Sequence, residues 1–297
     1  MVPGTAQRDF VYQFGKRSYN LSARTHVMGI LNVTPDSFSD GGRFLDPERA
    51  AEHALQMVDE GADFVDIGGE STRPKSGSHR EGADVVDAKE ECRRILPVIR
   101  IVTAQTDTPI SVDTYKASVA REALQAGAVI VNDISGFHFD AEMPKVVAEA
   151  GASAVVMHIQ GTPKTMQDNP SYVDLFGEIA AYLREGIECG ERAGVRQLFV
   201  DPGIGFGKTL DHNLRILAGV EYFADLGYPI LLGPSRKSFL GRILDLPPED
   251  RLEGTLASIT AAVLKGVHVV RVHDVKEVKR AVLVADAIRR ASKTISG

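Results

Sequence analysis

Short apolar runs alternate eight times with longer helical patterns along this chain, and this rhythm restricts its fold more than any other feature. Runs such as "HVMGILNV" and "SAVVMH" are apolar on both faces, which is typical of parallel strands covered by helices. Helices are predicted at residues 47–60, 88–104, 116–126, 141–149, 174–193, 210–217, 252–265 and 275–291. Eight strand–helix units predict an α/β fold, a closed (β/α)8 TIM barrel, over residues 26–297.

Residues 1–25 lie outside this rhythm. The stretch "FVYQFGKRSYNLS" predicts a short N-terminal hairpin that closes the bottom of the barrel. Glycines in "DEGADFVD", "QAGAVIVND", "EAGASAVVM" and "KGVHVVRV" stand between a helix and the next strand, where a left-handed residue often ends a helix. An open doubly wound sheet is the alternative fold, but no GxGxxG follows the first strand to favour it.

Composition excludes several classes of protein. The 297 residues are 43% hydrophobic and carry a net charge of -6, which argues against a surface that coats nucleic acid. No apolar run approaches the roughly 20 residues that span a bilayer, and the first ten residues do not resemble a signal peptide. We therefore expect a cytoplasmic protein with neither nucleic acid nor membrane as partner, and with Cys92 and Cys189 as free thiols.

The stretch "VDPGIGFGKT" resembles a nucleotide-binding loop in composition. A P-loop requires glycine five residues before its Gly-Lys pair, and that position holds Pro202, which has no N–H to offer. The dinucleotide pattern fails as well, because Lys208 stands where its third glycine belongs. What remains is Asp201 at the end of a strand, ahead of a glycine turn, where a structural cap and a ligand contact are equally good interpretations.

Polar residues end nearly every predicted strand. They are Asn32, Gly69 to Arg73, Asp113, Asn132, Asp133, His158, Asp201, Ser235 to Ser238, Arg271 and His273. Each one alone could be a cap, and Ser235 and Ser238 are predicted to be helix N-caps. Because strand C-termini meet at one mouth of a barrel, the whole set predicts a binding site there.

The chemistry of these residues falls into three groups. Asp113, Asn132 and Asp201 offer acceptors and an amide, which suit a heterocycle edge that carries N–H donors. Arg73, Lys237, Arg271 and His273 suit an anion such as a phosphate ester. Asn32, with Thr34, Asp36 and Asp40 after it, offers hard oxygen ligands for Mg²⁺.

Seven motifs in order resemble the signature loops of dihydropteroate synthase. They are "MGILNVTPDSFSDGG", "DIGGESTRP", "SVDTYK", "NDISG", "DPGIGFGKT", "GPSRKSFLG" and "VRVHDV". This family joins the diphosphate of 6-hydroxymethyl-7,8-dihydropterin to 4-aminobenzoate and releases diphosphate. The resemblance implies these two small-molecule substrates, Mg²⁺ as cofactor and a homodimer.

The resemblance also implies a role for individual residues. The pterin-binding set would be Asp113, Asn132, Met157, Asp201, Lys237 and Arg271, with Met157 and Arg271 on the two faces of the ring. Asn32, Arg271 and His273 would bind the pyrophosphate, with Mg²⁺ at Asn32. Thr72, Arg73, Phe206, Lys237 and Ser238 would line the aminobenzoate pocket, while Lys208 and Thr209 would simply begin the next helix.

The family chemistry implies that pyrophosphate departs ahead of amine attack, helped by Mg²⁺, Arg271 and His273. Arg73 and Lys237 complete the catalytic set, and Asp40 would balance the developing cation. The second loop, residues 75–87, is longer than is usual in the family. A methyltetrahydrofolate-binding methyltransferase and a non-catalytic pterin-binding barrel are the alternative functions.

Overall fold

The computed structural model describes residues 9–34, 46–71 and 86–295 of the chain. Its strands are β1 (Val11–Phe14), β2 (Arg17–Asn20), β3 (His26–Asn32), β4 (Phe64–Gly68), β5 (Ile110–Asp113), β6 (Ile130–Asp133), β7 (Ser153–Met157), β8 (Leu198–Asp201), β9 (Leu231–Leu232) and β10 (Val269–Val272). Strands β3 to β10 form one sheet in the order β8-β7-β6-β5-β4-β3-β10-β9. A parallel bridge from Val200 to Ile230 joins its two edges. The predicted TIM barrel is confirmed.

Helices follow the strands as predicted. They are α1 (Pro47–Asp59), α2 (Ala88–Gln105), α3 (Ala117–Gln125), α4 (Met143–Glu149), α5 (Leu175–Ala193), α6 (Leu210–Ala218), α7 (Ser238–Leu244), α8 (Leu252–Leu264) and α9 (Val275–Ile295). Side-chain caps start several of them: Asp46, Asp87 and Asp174 each accept an N–H from the first turn of their helix. The four predicted helix-ending glycines, at 61, 127, 151 and 266, all have positive φ.

Three elements differ from the sequence expectation. Strand β9 contains only Leu231–Leu232, and two helices follow it rather than one. The additional helix, α7, is seven residues long and includes Gly241, so it lacks the length from which a helical period can be recognised. A 3-10 segment at Val220–Leu226 was not predicted either.

Alternation along the strands separates two layers of side chains. Residues such as Val27, Val65 and Val270 point outward and join the core between the barrel and its helices. Their neighbours along each strand, such as Met28 and Phe64, point inward and fill the bottom of the barrel. Because strand side chains alternate with a period of two, the same inward positions continue upward to the mouth.

The N-terminal hairpin closes the bottom of the barrel, as the sequence predicts. Strands β1 and β2 pair antiparallel, and Tyr12, Phe14 and Leu21 pack into the cluster that contains Phe64 and Phe199. The Tyr12 hydroxyl donates to the carbonyl of Leu198 at 2.7 Å. Within the described residues, no helix is both long and apolar enough to cross a membrane. The division at residue 25 into two units stays a prediction.

Candidate active site

The inward positions at the carboxyl end of the barrel carry most of the residues selected from the sequence. The inward side chains at the bottom of the barrel include Met28, Ile130, Val155, Phe199 and Val269. Every second residue further along each strand also points inward, and near the mouth these residues are polar or contain sulfur. The set is Asn32, Asp113, Asn132, Met157, Asp201, Arg271 and His273. The structure therefore brings these residues to one mouth, as expected from the strand ends.

Arg271 occupies the centre of a charged network in this mouth. Its Nε donates to Oδ2 of Asp66 at 2.5 Å, and its Nη2 donates to Oδ2 of Asp113 at 2.7 Å. The same Oδ2 of Asp66 also accepts Nδ2 of Asn132 at 2.9 Å. Burial would lower the pKa of Arg271, but the two carboxylates outweigh it and raise that pKa, so the guanidinium stays charged.

The carboxylates in the mouth outnumber the cations. Three carboxylates, Asp66, Asp113 and Asp201, lie here near two cations, Arg271 and Lys237. Burial raises the pKa of Asp113 to about 7 and that of Asp201 to about 6. An arrangement of this kind favours a ligand that presents N–H donors to these carboxylates.

Asp201 and the glycine turn after it form one wall of the mouth. Oδ1 of Asp201 accepts the N–H of Gly203 at 2.7 Å, so the cap interpretation is correct for that oxygen. The following turn is held from outside: Gln167 donates to the carbonyl of Gly205, and Tyr172 donates to the carbonyl of Gly207, both at 2.7 Å. Both side chains belong to the segment between β7 and α5. The N–H groups of Gly203, Gly205 and Phe206 are already bonded within the protein, so these three are not offered to a phosphate.

Lys237 and Phe206 meet at the edge of this wall. The Lys237 ammonium nitrogen lies 4.0 Å from the centre of the Phe206 ring, a cation–π distance. Burial, together with the charge of Arg271, lowers the pKa of Lys237 to about 8. Phe206 also packs with Met157 in a small apolar cluster, so an aromatic wall, a thioether and a cation lie next to one another.

Ser235 has a different role from the helix N-cap that the sequence suggested. Its Oγ accepts the backbone N–H of His273 at 3.2 Å and lies 3.0 Å from Nδ1 of the same residue. Burial lowers the pKa of His273 to about 3, so the ring is neutral at pH 7. Nδ1 of His273 therefore faces the hydroxyl of Ser235, and the tautomer of the ring decides which of the two groups donates.

The N-cap expectation for Ser238 is also wrong. Helix α7 begins at Ser238, and its N-cap residue is Lys237, which makes no side-chain capping hydrogen bond. The turn before α7 is stabilised by Arg236 instead, which has φ 56. Its side chain forms an ion pair with Asp274, and its backbone N–H donates to the hydroxyl of Thr255. The hydroxyl of Ser238 stays exposed next to the mouth.

Lys208 is not merely the start of a helix, as the sequence analysis assumed. Thr209 is the N-cap of α6, but the side chain of Lys208 folds under the glycine turn and is 2% exposed. Its Nζ lies 2.8 Å from Nδ1 of His158 and donates to the carbonyl of Phe206 at 2.9 Å. Burial lowers the pKa of Lys208. This lysine therefore supports the turn from inside.

The first two long loops lie largely outside the described residues. Thr72, Arg73, Asp36, Asp40 and most of residues 75–87 belong to them. The root of the second loop is described. Glu70 accepts a hydrogen bond from the hydroxyl of Tyr115 at 2.8 Å and forms an ion pair with Lys116. Arg94 donates to the carbonyl of Gly69 at 2.9 Å.

Asn32 lies inward at the end of β3, partly exposed. Among the residues that the structure describes, no group of three or more His, Cys, Asp or Glu side chains could hold a metal ion. An amide oxygen is a ligand that Mg²⁺ accepts, and Mg²⁺ commonly takes one or two protein oxygens together with phosphate oxygens from a substrate. Asn32 therefore fits a magnesium ion that arrives with a phosphorylated ligand.

Asp66 is the main residue that the sequence reasoning missed. It was overlooked because only strand ends were considered, whereas Asp66 lies in the middle of "FVDIG". A signal was present: it is an acidic residue at an inward position of an otherwise apolar strand, and a buried carboxylate requires a partner. Ser235 and Lys208 could not be recognised in this way, because their roles depend on contacts with distant segments.

Comparisons with known proteins agree with this geometry. A family model described as pterin binding enzyme matches residues 28–273. The dihydropteroate synthase of Bacillus subtilis is 48% identical over 89% of this chain and 89% of its own length. A crystal structure of the enzyme from Clostridium difficile in the presence of pteroic acid has a TM-score of 0.82 at 44% identity, and covers 93% of this chain and 98% of that one. The Xanthomonas albilineans enzyme with 4-aminobenzoic acid has a TM-score of 0.86 at 40% identity, covering 95% and 99%.

Proposed function

The chain belongs to the dihydropteroate synthase family, and we propose that it condenses the diphosphate of 6-hydroxymethyl-7,8-dihydropterin with 4-aminobenzoate. The products are 7,8-dihydropteroate and diphosphate. The observation that carries the proposal is the barrel mouth itself, where buried carboxylates, an amide and two cations converge. Relatives of similar length have been solved with pteroic acid and with 4-aminobenzoic acid.

The pterin ring would lie over the charged floor of the mouth. Asp113, Asn132 and Asp201 would accept its N–H and NH₂ donors, which explains why acceptors are in excess there. Met157 and the plane of Arg271 would cover its two faces, and Lys237 would contact its edge. Burying these charges is costly without a ligand, which supports binding over a purely structural role.

The pyrophosphate would lie above Arg271 and His273. Because Nδ1 faces Ser235, Nε2 of His273 would face the pyrophosphate, and in the Nε2–H tautomer it would donate to a leaving oxygen while Arg271 offers positive charge. Asn32 would hold Mg²⁺ together with phosphate oxygens, and the bound ion would supply Lewis-acid stabilisation of the departing anion. Departure of the anion ahead of amine attack would leave positive charge that the electron-rich ring can delocalise.

4-Aminobenzoate would enter along the wall formed by Phe206, Lys237 and Ser238. The substrate ring would pack against Phe206, and the ammonium of Lys237, 4.0 Å from the centre of the Phe206 ring, would contact both substrates. Thr72, Arg73 and Asp40, for which the same family roles are proposed, lie on the loops outside the described residues. These loops would exclude water from the developing cation.

The direct test is a condensation assay with purified protein. Pyrophosphate and dihydropteroate should form only when both substrates and Mg²⁺ are present, and EDTA should suppress the rate strongly. Methyl transfer from methyltetrahydrofolate should be absent. Tight pterin binding without condensation would favour the non-catalytic alternative, and full activity without metal would remove Mg²⁺ and Asn32 from this proposal.

We also infer a homodimer, as the family resemblance implies. Leu283, Val284 and Ile288 on α9 are apolar and more than half exposed, which is compatible with a covered face. Sedimentation equilibrium at micromolar concentration checks this inference: a monomer would refute it. The cytoplasmic location stays a prediction from the sequence.

A further inference from the structure

Asp66 lies one layer below the ligand-facing residues, in the middle of β4, and its side chain is fully buried. Its Oδ2 accepts two hydrogen bonds, from Asn132 and from Arg271, while its Oδ1 has no hydrogen-bond partner among the described residues. It is too deep to line the mouth. We propose that Asp66 is a positioning residue that fixes which end of the Asn132 amide faces the ligand, and thereby the preference of the site for a 2-amino pterin.

The two ends of the Asn132 amide differ, because Oδ1 accepts hydrogen bonds and Nδ2 donates them. An ionised carboxylate is only an acceptor, so Nδ2 of Asn132 must face Asp66, as the 2.9 Å contact shows. Asn132 is in register with Asp113 and Asp113 with Gly68, so Asn132 lies one layer above Asp66. The amide oxygen therefore points away from Asp66, towards the mouth.

Arg271 supports this assignment, because its guanidinium contacts the same carboxylate oxygen and offers only donors. Its Nε reaches the same oxygen as Asn132, at 2.5 Å, and a guanidinium does not lose its proton in a protein. A reversed Asn132 amide would place its oxygen against the carboxylate and leave Nδ2 without its partner. A lost buried hydrogen bond of this kind disfavours the reversed state by at least about tenfold.

With the Asn132 amide fixed in this orientation, the side chains that face the ring edge are all hydrogen-bond acceptors. Asn132 then presents an acceptor alongside Asp113 and Asp201, and Asp66 itself contributes no ligand contact. A ring with an exocyclic 2-amino group matches these acceptors. The same ring with a hydrogen in place of the 2-amino group leaves these acceptors without that donor. This inference rests on the proposed function and adds the residue that sets the ring preference.

The test compares 6-hydroxymethylpterin by calorimetry with its 2-desamino analogue, the same 4-oxo ring with a hydrogen in place of the 2-amino group. Wild-type protein should bind the pterin at least about 100-fold more tightly. Asp66→Leu keeps the branching and the number of side-chain heavy atoms but removes the acceptor, so the ratio of dissociation constants should fall at least tenfold. Asp66→Asn should preserve the ratio, because its amide oxygen can replace Oδ2.

Ser111→Ala is the matched control. Ser111 is the register partner of Asp66 on β5, is equally buried, and its hydroxyl has no hydrogen-bond partner among the described residues. Its removal should leave the ratio unchanged. A wild-type ratio in Asp66→Leu would overturn the inference alone, whereas wild-type protein that binds neither ring would overturn the proposed function and the inference together.

A measurement on the wild-type protein covers the case in which Asp66→Leu does not fold. The side-chain NH₂ of Asn132, observed by NMR, should exchange slowly with solvent, because it donates to a buried carboxylate. Addition of 6-hydroxymethylpterin should leave it protected. Rapid exchange in the free protein, or a new hydrogen bond from this NH₂ to the ligand, would refute the assigned orientation.

Discussion

Replacing Gly203 with alanine tests whether the glycine turn must lie against the strand next to it. A Cβ at Gly203 would lie 1.9 Å from the carbonyl oxygen of His158, although such contacts are not found below 3.0 Å. The turn or the strand would have to move by about 1 Å, and the residue also has φ 70. That movement would disturb the hydrogen bond from His158 N to the Asp201 carbonyl and the one from Gly203 N to the Asp201 carboxylate, 2.9 and 2.7 Å long.

The magnitude follows from these terms. An alanine in the left-handed backbone conformation costs about 1–2 kcal/mol, and two weakened hydrogen bonds add about 1 kcal/mol each. Gly203→Ala should therefore lower the free energy of unfolding by about 3–4 kcal/mol. A 1 Å displacement of Asp201 should also lower kcat/KM by about 100-fold. Urea unfolding followed by circular dichroism, and the condensation assay, measure the two effects.

Gly151→Ala is the control, because Gly151 has φ 62 but no atom within 4 Å of its Cβ position. It should bear the conformational cost alone, about 1–2 kcal/mol, with normal turnover. The reasoning is refuted if Gly203→Ala unfolds at the same urea concentration as Gly151→Ala and condenses at the wild-type rate.

Three further predictions concern titration and buried polar groups. The kcat/KM of the condensation should rise as pH increases from about 6 to about 7, where Asp201 and then Asp113 lose their protons, and fall above about 8, where Lys237 loses its own; a flat profile from pH 5 to 9 would contradict these assignments. Lys208→Ala should lower the urea midpoint and weaken 4-aminobenzoate binding in calorimetry, because the carbonyl of Phe206 loses its donor; unchanged values for both would restore the simpler interpretation of Lys208 as a helix start. Burial lowers the pKa of His26 to about 4, so the unfolded chain takes up a proton first and stability should fall by about 3 kcal/mol between pH 6.5 and 4. In His26→Phe that part of the acid loss, measured by urea unfolding, should disappear, and an unchanged pH dependence would refute it.

The barrel was predictable because its signals are local and repeated. Eight apolar runs, each followed by a helical pattern, specify the units, and glycines such as Gly61 mark where helices end. Strand ends then indicate the mouth, since parallel strands bring them together. The error at α7 has the same origin, because seven residues with an internal glycine carry little periodic signal.

The supporting contacts of the site were harder to predict, since they join segments far apart in sequence. Lys208 is buried because His158, 50 residues earlier, accepts its side chain. Ser235 contacts His273, 38 residues later, although its position before a helix resembled that of an N-cap. Asp66 alone could have been identified, by extending the inward alternation down its strand.

Lys237→Met tests most directly the claim that the charges of the barrel mouth serve ligands rather than the fold. The ammonium lies 4.0 Å from the Phe206 ring, and burial and Arg271 lower its pKa to about 8, so its charge is disfavoured in the folded chain. Removing it while keeping an unbranched stem should leave the melting temperature unchanged or slightly higher. In the same preparation, kcat/KM for the condensation should fall by at least about 100-fold, as expected when a charged contact to both substrates is lost. A variant that melts much earlier yet condenses at the wild-type rate would contradict the account.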